Sequence, residues 1–216
     1  MSRLLLDGYQ EIPNLISIEE AKKIKEYDYN LLIRDKVLIE YDIGRGSVYT
    51  GYRPKSTSFI MKRLKPILEK MVGEELLPSY WFTTIYHGNS FMHNHTDRPS
   101  CEISVSLNIH SEQDWPLYFE NLNKNYIGCV TRIGQAVAYL GSECKHWREP
   151  LESRIFGERY MQSFFHFVRK NGEYADYEYD NFKHNKSLDN CYVINTNKSL
   201  TQKQFLMNMD KARWID

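Results

Sequence analysis

Trp81-Phe82-Thr83-Thr84-Ile85-Tyr86, Glu102-Ile103-Ser104-Val105-Ser106-Leu107-Asn108-Ile109 and Ala136-Val137-Ala138-Tyr139-Leu140 are the runs that decide how this chain folds. With Leu117–Phe119, Tyr126–Thr131 and Arg159–Val168 they make a series of short aromatic and β-branched segments separated by turns. Such side chains suit a pleated, half-buried surface, and several short runs at this spacing point to a β-sandwich or barrel. Toward the N-terminus the character is mixed. Ser17-Ile18-Glu19-Glu20 has capping-box form, and Ile18, Ala21, Ile24, Tyr27 and Leu31 follow at helical spacing. Val37 to Ile43 reads as a strand ending at the turn Gly44-Arg45-Gly46. A second helix is expected from about Thr57 to Val72, with Pro66 set to kink or split it. Beyond Val168 the chain is polar and rich in Asn, Lys and Tyr, with a short helix expected near Thr201–Met209. The expected organisation is one domain over 1–216: mixed support over 1–79, a β core over 80–170 and an extension over 171–216.

Composition narrows the class without naming a chemistry. The chain has 216 residues, 28 basic against 28 acidic, 42% hydrophobic and 14% aromatic, which fits a packed domain rather than a disordered one. Zero net charge weakens any reading built on a polyanion partner, so nucleic acid is disfavoured. Met1 to Asp7 offers three leucines before an acid, short of the roughly 7–15 apolar residues of a secretory signal. No apolar run approaches the roughly 18 residues of a membrane span. Cys101, Cys129, Cys144 and Cys191 are scattered without a Cys-x-x-Cys pair, so neither a zinc knot nor a disulfide framework is indicated. The sequons at Asn94, Asn185 and Asn197 read as chance matches. The expectation is a cytoplasmic, reduced protein.

His95-Thr96-Asp97 carries the chemistry. Residues i and i+2 of an extended segment project to one side, so an imidazole and a carboxylate stand together. His146 follows Asp97 by 49 residues and offers a third ligand. Two His and one carboxylate, with three positions left open, make the facial triad of non-haem Fe(II) oxygenases.

The surroundings extend the pattern. Tyr86-His87-Gly88-Asn89 stands upstream, and Ser106-Leu107-Asn108 lies in the strand that follows the motif. Gly134-Gln135-Ala136-Val137 precedes His146, with Pro150 and then Gly157-Glu158-Arg159-Tyr160 after it. From Trp81 to Val168 this order resembles the Fe(II)/2-oxoglutarate-dependent dioxygenase superfamily, most closely its prolyl-hydroxylase-like branch. The resemblance implies a mainly β fold, a double-stranded β-helix (jelly-roll) barrel with the N-terminal helices packed outside. It implies Fe(II) on His95, Asp97 and His146, with 2-oxoglutarate and dioxygen as co-substrates. Arg159 would anchor the far carboxylate of 2-oxoglutarate, the Tyr86 hydroxyl would be a second contact, and Ser106 a polar contact. If Arg159 points inward, alternation along the last strand makes Ser163 and Phe165 line the same cavity. The implied activity is hydroxylation of an amino-acid side chain, peptidyl or free, or of a small metabolite.

Alternatives stay open beside this reading. From His146 to Arg159 is 13 residues, longer than the family spacing, which makes Arg154 a rival anchor and Arg148 a weaker one. His93 could replace His95 but would orphan Asp97, so it is read as facing ligand or substrate from outside. Cys101 reads as a buried thiol, Trp147-Arg148 as entrance lining or barrel rim, and Lys62-Arg63-Leu64-Lys65 as a solvated helix face. Tyr174, Tyr177 and Tyr179 read as a solvated edge or a lid, and His110, His166 and His184 carry no pattern. Two other classes use the same residues: a non-enzymatic jelly-roll binding or assembly protein with a relic site, and a zinc hydrolase.

Overall fold

The computed structural model describes residues 1–34, 40–42, 46–152 and 160–180. In chain order the elements are α1 (Arg3–Asp7), β1 (Tyr9–Ile12), α2 (Ile18–Arg34), β2 (Glu40–Asp42), β3 (Gly46–Tyr52), α3 (Ser58–Val72), β4 (Leu76–Tyr86), β5 (Met92–His95), β6 (Ile103–Ser111), β7 (Leu117–Glu120), β8 (Tyr126–Cys129), β9 (Ala136–Leu140), β10 (Lys145–Arg148) and β11 (Tyr160–Arg169). The fold is predominantly β, with helices joined to two antiparallel sheets. A larger sheet runs β1-β9-β6-β11-β4-β3-β2 and a smaller one runs β5-β10-β7-β8.

Strand alternation divides the core in two. On one face of the larger sheet, Ile85, Ile103, Val105, Leu107, Met161 and Phe165 meet Leu4 of α1, Ala21 and Ile24 of α2, and Ile60, Leu64 and Leu68 of α3. The other face turns Tyr86, Val137, Tyr139, Tyr160 and Phe164 toward Leu117 and Phe119 of the smaller sheet. Tyr9 stacks on Phe119 at 5.4 Å across this second layer. Covered on both faces, β6, β9 and β11 are buried along almost their whole length.

Ser17 and Glu20 close the expected capping box: Glu20 N–H donates to Ser17 Oγ at 3.0 Å and Ser17 N–H to Glu20 Oε2 at 2.8 Å. The expected second helix forms as α3, but Pro66 does not split it. The run on either side of Pro66 buries Ile60, Leu64, Leu68 and Val72 against the sheet, and that packing outweighs one missing hydrogen bond. The basic cluster is not wholly solvated either. Leu64 is core, and Arg63 grips Glu20 of α2 at 2.7 Å. Residues 37–39 and 43–45 of the expected strand and turn, and the expected helix at 201–209, lie outside the described residues. Among the described residues no helix is long and apolar enough to cross a membrane.

Candidate metal centre

β5 and β10 pair antiparallel with His95 directly opposite His146. Cross-strand pairing brings the two rings to a centroid distance of 4.4 Å. Asp97 sits just past the end of β5, its N–H bonded to Gly141 O at 2.8 Å. Its Oδ1 lies 3.6 Å from His95 Nε2 and 3.5 Å from His146 Nε2. These gaps are longer than good hydrogen bonds. They approach the separation of two ligand atoms each about 2.1 Å from one cation.

Each imidazole is held by its other nitrogen. His95 Nδ1 donates to His93 O at 2.7 Å and His146 Nδ1 donates to Cys144 O at 2.9 Å. Those bonds select the tautomer whose Nε2 lone pair faces Asp97, the usual way a protein aims a ligating histidine. Burial alone would raise the Asp97 carboxyl. The three histidines around it, His146 foremost, then His95 and His166, outweigh that and hold it well below the usual carboxylate range. Its second oxygen, Oδ2, accepts from Ser104 Oγ at 2.9 Å, and Ser104 Oγ in turn lies 2.9 Å from His166 Nδ1. Burial pushes His166 down to about 4, so it is a neutral ring at physiological pH.

Gly141 leaves room for this network. A Cβ there would stand 2.5 Å from Asp97 Oδ2 and against Cys101 O and Ser104 Oγ. The site is lopsided: His146 is buried beside Tyr139 at 4.7 Å, whereas the His95 side chain is 42% exposed. The open side of the cluster is therefore the β5 side.

Asp97, Cys101 and His166 form a second close cluster. Burial pushes the Cys101 thiol up to about 12, which keeps it protonated, and Asp97 Oδ2 is already engaged by Ser104. The second cluster is thus a buried thiol and hydrogen-bond support for the first.

The remaining sequence candidates separate. Tyr86 is fully buried between the sheets, its ring edge-on to Trp115 at 5.0 Å. Ser106 points into the same layer and donates to Gln162 Oε1 at 2.7 Å. Ser163 does not. It lies among Met161 and Phe165 on the helix-covered face, where its hydroxyl meets Thr83 Oγ1 at 2.8 Å. The strand alternation is counted from Tyr160 facing inward, so Gln162 and Phe164 take the inner positions, and Phe165 joins Ser163 outside. Arg159 and Arg154 lie outside the described residues. His93 contributes its carbonyl to His95, and its ring packs on Phe91 at 4.9 Å. Trp147 turns outward onto Tyr118 at 5.6 Å, while Arg148 turns in and is buried. Of the tyrosine-rich tail, Tyr179 is exposed, but Asp180 is buried and pairs with Arg98 at 2.9 Å, next to Asp97.

No protein-family model matches the chain, and no curated protein matches it. Solved structures do. A prolyl-4-hydroxylase from Pseudomonas putida is 12% identical over 77% of this chain and 95% of its own, with a TM-score of 0.59. An oxidoreductase of the 2OG-Fe(II) oxygenase family from Burkholderia pseudomallei is 14% identical over 79% of this chain and 89% of its own, with a TM-score of 0.61. HygX from Streptomyces hygroscopicus, crystallised with nickel, 2-oxoglutarate and hygromycin B, is 11% identical over 78% of this chain and 85% of its own, with a TM-score of 0.62. The fold is that of the iron- and 2-oxoglutarate-dependent oxygenases. Within that class, prolyl hydroxylases stand among its neighbours.

Proposed function

We propose that the protein is an Fe(II)- and 2-oxoglutarate-dependent oxygenase that hydroxylates an amino-acid side chain, peptidyl or free, or a small metabolite. In this reading the two sheets are the halves of a double-stranded β-helix, and the chain is one domain. The observation that carries it is the triad of His95 Nε2, His146 Nε2 and Asp97 Oδ1, with both rings locked from behind by backbone carbonyls. Two neutral nitrogens and one carboxylate oxygen suit Fe(II), and three ligands on one side leave room for others.

Bound there, iron with 2-oxoglutarate and dioxygen supplies the oxidising power for hydroxylation, at the expense of decarboxylating 2-oxoglutarate to succinate. The chain's own residues do the positioning. Asp97 offers one oxygen because Ser104 occupies the other. Tyr139 and Phe119 pack around the buried His146 and keep water from that side. Tyr86 and Ser106, which lie between the sheets, would be the polar contacts to the co-substrate. The prolyl-4-hydroxylase neighbour and the hygromycin B complex support the two substrate classes.

The test is anaerobic titration of the purified protein with Fe(II) and 2-oxoglutarate. A weak visible charge-transfer band should appear, and on admitting air succinate should form. Asp97→Ala should abolish both. A wild type that binds no iron and gives no band ends the enzymatic reading. Air-stable zinc without 2-oxoglutarate binding would point to a hydrolase instead.

A further inference from the structure

Past β11 the chain turns back across the start of β4, and backbone contacts fix its course. Tyr179 N–H donates to Pro78 O at 2.9 Å, and Asp180 N–H donates to Tyr177 O at 3.1 Å. The Arg53 guanidinium donates to the carbonyls of Tyr179 and Asp180. The Asp180 carboxylate is thereby delivered to Arg98, whose Nη1 stands 2.9 Å from its Oδ2. The acid side chain is 1% exposed and the arginine side chain 21%, so the pair lies largely out of water. Arg98 also lies 4.8 Å over the Tyr80 ring, and the Tyr80 hydroxyl is 3.1 Å from Cys101 Sγ. Cys101 belongs to the close cluster with Asp97 and His166. One ring and one thiol therefore stand between this cation and the triad.

A buried ion pair desolvates both partners and often adds little stability. The place of this one in the fold gives it another use. With both imidazoles neutral, the triad offers a divalent cation one negative charge, that of Asp97. Arg98 is the next residue, its Cα about 3.8 Å from that of Asp97. Its guanidinium stays charged at any physiological pH. Unpaired, that charge would oppose the single negative charge of the triad in surroundings where salt screens poorly. It would also have a carboxylate within one residue to turn onto. Asp180 answers both problems from a different part of the chain. We propose that Asp180 is a positioning residue for the metal centre: by holding and neutralising Arg98 it keeps that cation from repelling a divalent metal and from capturing Asp97. The inference rests on the metal-binding reading above, and it makes the segment after β11 a working part of the site.

The test is Mn(II) affinity of the full-length protein, read by competition against a calibrated chelator, in the wild type and three variants. Asp180→Asn keeps the side chain's size and removes its charge. It should lower the affinity about 10–100-fold, the range for lost support behind a metal ligand. Arg98→Met should do the opposite and raise the affinity severalfold, because the Asp180 charge then acts on the metal unopposed. The double variant, with both charges gone, should return to within about threefold of the wild type. A pair that only holds the fold together predicts a loss in all three, and that result overturns the assignment. An Asp180→Asn affinity equal to wild type overturns it as well. Should Asp180→Asn fail to fold, as circular dichroism would show, Arg98→Met decides. A rise in that variant upholds the assignment, and an unchanged or lower affinity overturns it. These failures leave the metal-binding reading standing, whereas a wild type that binds no Mn(II) defeats that reading itself.

Discussion

Ser104 Oγ stands 2.9 Å from Asp97 Oδ2, 2.9 Å from His166 Nδ1 and 3.1 Å from Cys101 O. A hydroxyl has one proton to give. With His166 neutral and donating from Nδ1, Ser104 is free to donate to Asp97, so three side chains form a directed relay ending on the Asp97 carboxylate. The relay keeps Asp97 in a single-oxygen pose. Ser104→Ala is therefore expected to lower Mn(II) affinity about 10–100-fold, the range for lost outer contacts to a ligand. Its circular dichroism should remain that of the wild type. Competition for Mn(II) against a calibrated chelator reads the effect, and an unchanged affinity would show that Asp97 orients itself unaided. The three triad residues were legible because their types and spacing are distinctive. Ser104 and His166 were not, since their meaning depends on a contact across two strands that only the β6–β11 pairing creates. Gln162 was hidden for a related reason: the inner positions of β11 follow Tyr160, and one step of register exchanges every inward residue for its neighbour.

At the scale of elements, long runs were readable and short ones were not. β6, β9 and β11 announced themselves through continuous apolar and aromatic stretches that suit burial on both faces. β5 and β10, which carry His95 and His146, are each four residues long and polar, so composition alone reads them as loop. Tertiary pairing with each other makes them strands. α2 shows the converse, a helix whose start was legible but whose buried acid was not. Asp28, 2% exposed, is pushed by burial from 3.8 up to about 6, with the nearby Ser56 hydroxyl opposing. The protonated form therefore belongs to the fold. Its stability is full below about 3.8 and is lost as the pH rises through 6. Two pKa units correspond to about 3 kcal/mol at most. Asp28→Asn should accordingly stabilise the protein at pH 8 and change little at pH 4. Urea unfolding of both proteins at both values measures this, and an equal gain at the two pH values would remove titration as the cause.

For the whole molecule, the triad joins parts that otherwise meet mainly through side-chain packing. His95 and His146 belong to the smaller sheet. Asp97 is tied through Ser104 to β6 of the larger one, and through its N–H to Gly141 in the connection from β9 to β10. A cation held by these three side chains would thus link the two sheets across the aromatic layer. An ion that binds the folded chain and not the unfolded one stabilises it by about 2.7 kcal/mol at a hundred times its dissociation constant. At this chain length each kcal/mol is worth about 2–4 °C, so Mn(II) saturation should raise the melting temperature by roughly 5–10 °C over chelator-treated protein. Asp97→Ala removes both the negative ligand and the link to Ser104, and its melting temperature should be indifferent to Mn(II). Calorimetric melts of the two proteins, with metal and with chelator, decide the matter. An equal rise in Asp97→Ala would mean that Mn(II) acts elsewhere on the surface, and the triad would lose its role as the bond between the sheets.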